Sequence, residues 1–240
     1  MAIAGIRVAF EDEERELPDL GAPLPIEELL PGPSSGLAPE AGSWEVEIGF
    51  GKGRYLLGRA EADRASRFLG IEVAGEYYRL VRRRMIRRRL GNLLLVRGEA
   101  LYLLSAVLPR GFASAVHVYF PDPWPKARHR ARRLFDPETV DLVLGLLRPT
   151  GTLYFATDFL EYGDLVAEIL EGHPSVAVQW REGPWQGEPR TNYEAKYIRE
   201  GRPIRRFEIV RRSDLVDAVH PAAELSLRVA TMEPEPKEGA

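Results

Sequence analysis

Cysteine is absent from all 240 residues. That excludes disulfides, thiolate nucleophiles, iron–sulfur clusters and cysteine-ligated zinc. Histidine occurs only four times, at scattered positions, so a histidine-based metal centre is not expected and no metal is assigned. No apolar run is long enough to span a bilayer. The opening "MAIAGIRVAFEDEERELP" lacks a basic start and a continuous apolar stretch, so it does not read as a signal peptide. The expectation is a soluble, cytoplasmic protein with no membrane partner. Asn, Gln and Met are scarce and Arg far outnumbers Lys, a bias shared by thermophiles and GC-rich genomes. A formal net charge of -3 does not by itself announce a polyanionic partner, but the basic residues are clustered, and clusters carry more information than the sum.

What is present is enough for a real core. Hydrophobic residues make up 45% of the chain, and one α/β domain of this length is ordinary. Residues 1–42 read as a Pro/Gly-rich N-terminal extension, with a short strand at Ile6–Phe10 before the stretch "LPDLGAPLPIEELLPGPSSGLAPEAG". Residues 213–240 read as a C-terminal extension whose end, "EPEPKEGA", has a disordered composition. Between them, in residues 43–212, strand and helix signals alternate. Strands are expected at "WEVEI", "RFLGIE", "NLLLVRG", "SAVHVYF", "TLYFATD", "SVAVQW" and "IRRFEIV". Helices are expected over 55–65, 75–90, 100–108, 136–147 and 160–171, the fourth with Asp136 as N-cap and Pro137 at its first position. "RPTG" reads as a turn. This alternation predicts a mainly parallel central sheet with helices on both faces. Such sheets bind ligands at the carboxyl ends of their strands, where the strand order reverses.

The first strand ends in "EIGFGKG". Glu47, Gly49, Gly51 and Gly53 are spaced E-x-G-x-G-x-G, and glycines there let the backbone turn sharply and approach a ligand. A dinucleotide site would use G-x-G-x-x-G and place a pyrophosphate at the turn, where the Glu47 carboxylate would repel it. A carboxylate suits S-adenosylmethionine instead, which carries a sulfonium and an ammonium. The second strand ends at Glu72, placed to accept hydrogen bonds from ribose hydroxyls, and the third is followed by Glu99, placed to accept from an adenine amino group. The bland alternative is a tight turn with incidental surface glutamates.

The fourth strand runs into "FPDPWPKARHRARRLF". Pro121 and Pro123 restrict the backbone around Asp122. Trp124 either stacks on a base or packs under the loop. Lys126, Arg128, His129, Arg130, Arg132 and Arg133 form a basic run suited to phosphates, against the alternative of a solvated face. A second run, "RLVRRRMIRRRL", keeps an apolar stripe at helical spacing. Its arginines either extend an RNA surface or pair with the acidic "EDEERE". "RTNYE" carries Thr191 and Glu194 at the spacing of a helix capping box.

Taken in order, "VEIGFGKG", "GIE", "FPDPWPKARHRARRLF", "ATD" and "RTNYE" resemble the bacterial tRNA (guanine-N7)-methyltransferase family over about residues 44–210. The resemblance implies a Rossmann-like class I S-adenosylmethionine-dependent methyltransferase fold. It implies methyl transfer to N7 of the guanine at position 46, in the variable loop of tRNA, by a monomer or homodimer. It places Glu47, Gly49, Gly51, Glu72, Glu99 and Asp122 at cofactor-binding positions, with Asp122 also catalytic. Lys126, Asp158, Thr191, Asn192, Tyr193 and Glu194 fall at substrate-binding positions, and Arg128, His129, Arg130, Arg132 and Arg133 in the RNA-contacting stretch. Glu99 departs from the family's more usual aspartate. The competing readings are a related methyltransferase acting on another RNA or on a protein, a nucleotide-binding dehydrogenase, and a non-catalytic RNA-binding module.

Overall fold

Strands buried along nearly their whole length are covered on both faces, and three here show it. In the computed structural model, which describes residues 6–10, 13–17, 44–124, 133–185 and 190–211, all six residues of β4 (Arg67–Glu72) are buried. So are four of five in both β3 (Trp44–Ile48) and β5 (Leu93–Arg97). With β6 (Ala113–Tyr119) and β7 (Leu147–Thr157) they form the parallel centre of a nine-stranded mixed sheet. On one side β9 (Arg205–Arg211) and then β8 (Val176–Trp180) add antiparallel. On the other, β1 (Ile6–Phe10) pairs antiparallel with β5, and β2 (Glu13–Leu17) with β1. The order is β2-β1-β5-β4-β3-β6-β7-β9-β8.

Helices cover both faces. One layer is α1 (Arg54–Ala62) and α2 (Gly75–Arg87), whose Leu56, Leu57, Ala60, Tyr78, Val81 and Met85 meet Phe68 and Leu95. The other holds the single turn α3 (Ala100–Tyr102), α4 (Val140–Leu146) and α5 (Leu160–Glu171). These pack on Val46, Ile48, Val116, Val118, Leu153 and Phe155. Gly70 shows how close the first layer sits. A Cβ there would lie 2.3 Å from Leu56 and 2.7 Å from Phe50, well inside van der Waals contact.

Several local expectations change. The helix expected from Asp136 begins at Val140. Asp136 does cap, but it caps a tight turn: its carboxylate accepts the Glu138 N–H and its carbonyl those of Thr139 and Val140. The helix expected over 100–108 is one α-turn that widens into a π-turn at Leu103–Val107, closed by Leu108 N–H donating to the Leu103 carbonyl. The π-turn leaves Leu103, Leu104, Val107 and Leu108 all buried. "RPTG" lies within β7, as an irregular stretch between the pairs Ala113–Leu147 and Ala115–Thr152. The acidic N-terminal run includes strand β2. There Glu14 pairs with Arg82 of α2 at 3.7 Å, while Arg79, Arg83 and Arg87 of the same helix face solvent. The pairing of that basic helix with the acidic run is therefore made by Arg82.

The chain leaves β3 through α1 toward β4 on one side, while β6 lies on the other. The carboxyl ends of β3 and β6 thus frame the point where strand order reverses.

Candidate functional site

Strand alternation decides which acids reach this crevice. On β3, Val46 and Ile48 point to the apolar layer, so Glu45 and Glu47 point to the α1 face. On β4, Leu69 and Ile71 point to the apolar layer, so Glu72 joins Glu47. The glycine turn then follows β3. Gly49, Gly51 and Gly53 have φ of 77°, 50° and 72°, the left-handed region that side chains disfavour. Gly53 is tight as well, since a Cβ would meet Val81 at 2.6 Å. At Gly49 and Gly51 a Cβ would meet nothing within 4 Å, so that backbone borders open space.

Glu72 fixes the turn. Its two carboxylate oxygens accept the Gly51 N–H at 2.8 Å and the Ala74 N–H at 2.9 Å. Glu47 is 3% exposed and its Oε2 has no hydrogen-bond partner. Burial, reinforced by the neighbouring Glu72 charge, pushes its carboxyl up to about 8. A buried acid with one oxygen unsatisfied, beside an open glycine turn, fits the cationic end of S-adenosylmethionine, whose positive charge would favour the ionised form of Glu47. Glu99 is exposed, and it caps α3 by accepting the N–H groups of Leu101 and Tyr102.

At the end of β6, Asp122 is exposed between its prolines. Two non-glycine residues with positive φ bracket it, Phe120 at 54° and Trp124 at 39°. Bulky residues rarely hold that conformation without surrounding support. Arg133 provides part of it. It is 8% exposed, donates to the carbonyls of Pro123 (2.8 Å) and Trp124 (3.3 Å), and lies 5.1 Å above the Tyr162 ring. Sequence grouped Arg133 with the RNA-contacting arginines. Its guanidinium instead turns inward, because two loop carbonyls and a ring face satisfy it there. Lys126, Arg128, His129, Arg130 and Arg132 lie outside the described residues. Trp124 is half-buried.

Asp158 follows β7 and pairs with Arg202 at 3.3 Å. Thr191 is the N-cap of α6 (Asn192–Arg199), accepting the Glu194 N–H at 3.0 Å. The Glu194 carboxylate is 1% exposed in its residue and fully engaged. It accepts the Arg190 N–H at 2.8 Å and the Arg206 Nε at 2.9 Å. Asn192 and Tyr193 are exposed on the same turn.

Sequence reasoning missed a polar cluster under the site. His117 and Tyr119 of β6 share the α1 face of the sheet with Glu45 of β3. Imidazole nitrogens of His117 lie 2.9 Å from the Tyr119 hydroxyl, 3.2 Å from that of Tyr55 and 3.3 Å from Glu45. Burial alone would raise the Glu45 carboxyl, but its bonds to His117 and Arg59 outweigh it and hold it at about 2. Arg190 closes the cluster from above. Its guanidinium sits 4.4 Å from the Trp185 ring centre, 4.9 Å from Tyr154, 5.5 Å from Tyr55 and 5.8 Å from Tyr119. The period-two recurrence of Glu45 with Glu47, and of His117 with Tyr119, was the available signal.

Among the described residues no group of His, Cys, Asp and Glu is arranged to hold a metal, and no helix is long and apolar enough to cross a membrane. A family model described as "Putative methyltransferase" matches residues 42–207. The chain is 36% identical over 159 residues to a tRNA (guanine-N(7)-)-methyltransferase of Nitrosococcus oceani, covering 66% of this chain and 67% of that one. It is 32% identical over 195 residues to one from Cupriavidus pinatubonensis, covering 75% and 76%. Among solved structures, an aminoglycoside resistance methyltransferase superposes with a TM-score of 0.55 at 15% identity, over 86% of this chain and 99% of that one. An rRNA methylase from Streptococcus thermophilus gives 0.51 at 16%, over 72% and 88%. At such identities the likeness concerns the fold, the class I S-adenosylmethionine-dependent methyltransferase fold.

Proposed function

The chain belongs to this methyltransferase family, and from that premise we infer that it transfers a methyl group from S-adenosylmethionine to N7 of a guanine in tRNA. The observation that carries the reading is the pairing of an open glycine turn with a buried Glu47 whose Oε2 is unpartnered, beside Glu72, in a chain whose curated relatives bear that activity in their names. The target is guanine 46 in the variable loop, the position that the sequence motifs of the family imply.

S-adenosylmethionine supplies a methyl group on a positively charged sulfur. Glu47 and Glu72 hold its polar groups at the ends of β3 and β4, and the Gly49–Gly51 backbone leaves room for it. Glu99 lies where the adenine amino group is read. Guanine N7 has an exposed in-plane lone pair and needs no deprotonation before it forms the new N–C bond. The protein therefore has to align the reactants and exclude water, an orientation effect. Asp122, held between two prolines and braced by Arg133, orients the guanine N1–H and amino donors or the charged end of the cofactor, and acts as a positioning carboxylate in place of a proton acceptor. Asp158 and the Thr191–Glu194 turn border the base. Lys126, Arg128, His129, Arg130 and Arg132 take the RNA backbone.

Incubation of unmodified tRNA with methyl-labelled cofactor, followed by nucleoside analysis, tests this. The label is expected in 7-methylguanosine. Label in any other nucleoside, or none in tRNA, overturns the reading.

A further inference from the structure

Helix α6 has a face that folding does not explain. It buries one residue, Glu194, yet leaves Tyr193 50% and Ile198 43% exposed. Tyr193 and Tyr197 are four residues apart and share one side of the helix. Their rings stack with centroids 6.1 Å and planes 29° apart. Phe120 joins them from the end of β6, 6.2 Å from Tyr193 and 5.4 Å from Tyr197.

Phe120 is held in its left-handed conformation while its N–H donates to the Ala156 carbonyl at 2.7 Å. It stands two residues before Asp122. A ladder of three rings therefore begins at the base of the site and ends in solvent. Cations surround its outer end. The Arg202 guanidinium lies 4.8 Å from the Tyr197 ring and is paired with Asp158 and Glu200. The Lys196 Nζ lies 5.6 Å from the same ring and 3.9 Å from Glu200, and Arg199 is exposed.

One exposed and two half-buried rings interleaved with cations suit single-stranded nucleic acid, because every unstacked base has a π-face and every linkage a negative charge. A protein partner would call for a continuous apolar patch in place of this mixture. We propose that Phe120, Tyr193 and Tyr197 form a stacking platform for an unpaired tRNA base next to the target guanine, with Lys196 and Arg199 facing its phosphates. This rests on the tRNA reading above and adds to it a surface for a second nucleotide.

The test is binding of unmodified tRNA to the full chain and to its Tyr193→Ala, Tyr193→Ala/Tyr197→Ala and Tyr193→Phe variants. The alanine variants should bind tRNA about 5- to 100-fold more weakly, and the phenylalanine variant should bind within about twofold of the parent, since stacking needs only the ring. The slope of log affinity against log salt should stay unchanged, because no phosphate contact is removed. Cofactor affinity measured by calorimetry should also be unchanged. Near-parental tRNA binding by the double variant overturns the platform, as does a matching loss of cofactor affinity or a shallower salt slope. Those results leave 7-methylguanosine formation by the parent chain intact. Absence of that product overturns the broader reading and takes the platform with it.

Discussion

The two sides of the crevice are built on opposite plans. On the β3–β4 side, the groups proposed to recognise the cofactor are buried carboxyls and a backbone turn: Glu72 ties down Gly51, and Glu47 keeps one oxygen unpaired. On the β6–β7 side, Asp122, Tyr193 and Lys196 stand in solvent, supported from beneath by Arg133, Arg190 and Glu194. The difference follows from the ligands. A small cofactor of fixed charge can be enclosed, and enclosure strengthens each polar contact. A folded polyanion must be met at a surface, so the protein buries only the braces and leaves the reading groups exposed.

The largest expected effect attacks that distinction directly. Glu194 is a buried carboxylate on the exposed side, paired with the buried Arg206. Replacing it with alanine strands Arg206 and should cost about 3–5 kcal/mol of stability, seen as a lowered denaturant midpoint. A loss of tRNA affinity with unchanged stability would mean instead that Glu194 reads substrate and the two plans are not separate. Next, Asp122→Ala should reduce turnover at least about 100-fold, the scale of a misaligned reaction, and leave the fold intact because the residue is exposed. Near-normal turnover would remove Asp122 from the site.

The third prediction concerns protons on the enclosed side. Glu47 holds its proton more tightly when folded, at about 8, than at its ordinary 4.5. Its contribution to stability is therefore complete below about pH 4.5 and is lost as pH rises through 8. Glu47→Gln lacks that loss, so its unfolding free energy relative to the parent should climb between pH 5 and pH 8, by an amount on the order of 3–4 kcal/mol. A pH-independent difference would show that Glu47 is already ionised. Smallest, Arg128→Gln and Arg132→Gln should each weaken tRNA binding modestly and flatten its salt dependence by about one phosphate contact. Arg133→Gln should behave differently and lower turnover by loosening the loop around Asp122.

Much of the enclosed side was legible in the amino-acid order. "RFLGIE" and "LLLVR" announce themselves because doubly covered strands are mostly apolar, and "WEVEI" by its alternation of apolar and acidic residues; each ends where an acid or a glycine changes the pattern. The exposed side was less legible for two reasons. A run of arginines has no orientation in one dimension, so nothing separated Arg133, which faces a ring and two carbonyls, from its neighbours. An uncommon backbone conformation leaves no compositional mark either: Phe120 reads as one more strand residue, yet its φ is 54°. β2 was hidden in an acidic run because an edge strand needs no apolar side chains.

The sheet also has two histories open to it. Its α4–α5 face, lined by Val116, Val118, Leu153 and Phe155, can drift one residue at a time, since apolar cores accept exchanges of similar volume. Part of the other face joins Glu45, His117, Tyr55, Tyr119 and Arg190 in one connected set, where each side chain satisfies the next. A single exchange there leaves a buried partner unpaired. That connected set, where α1 meets β3 and β6, can change only in groups, so descendants of this chain should diverge least there and more freely in the apolar parts of both faces.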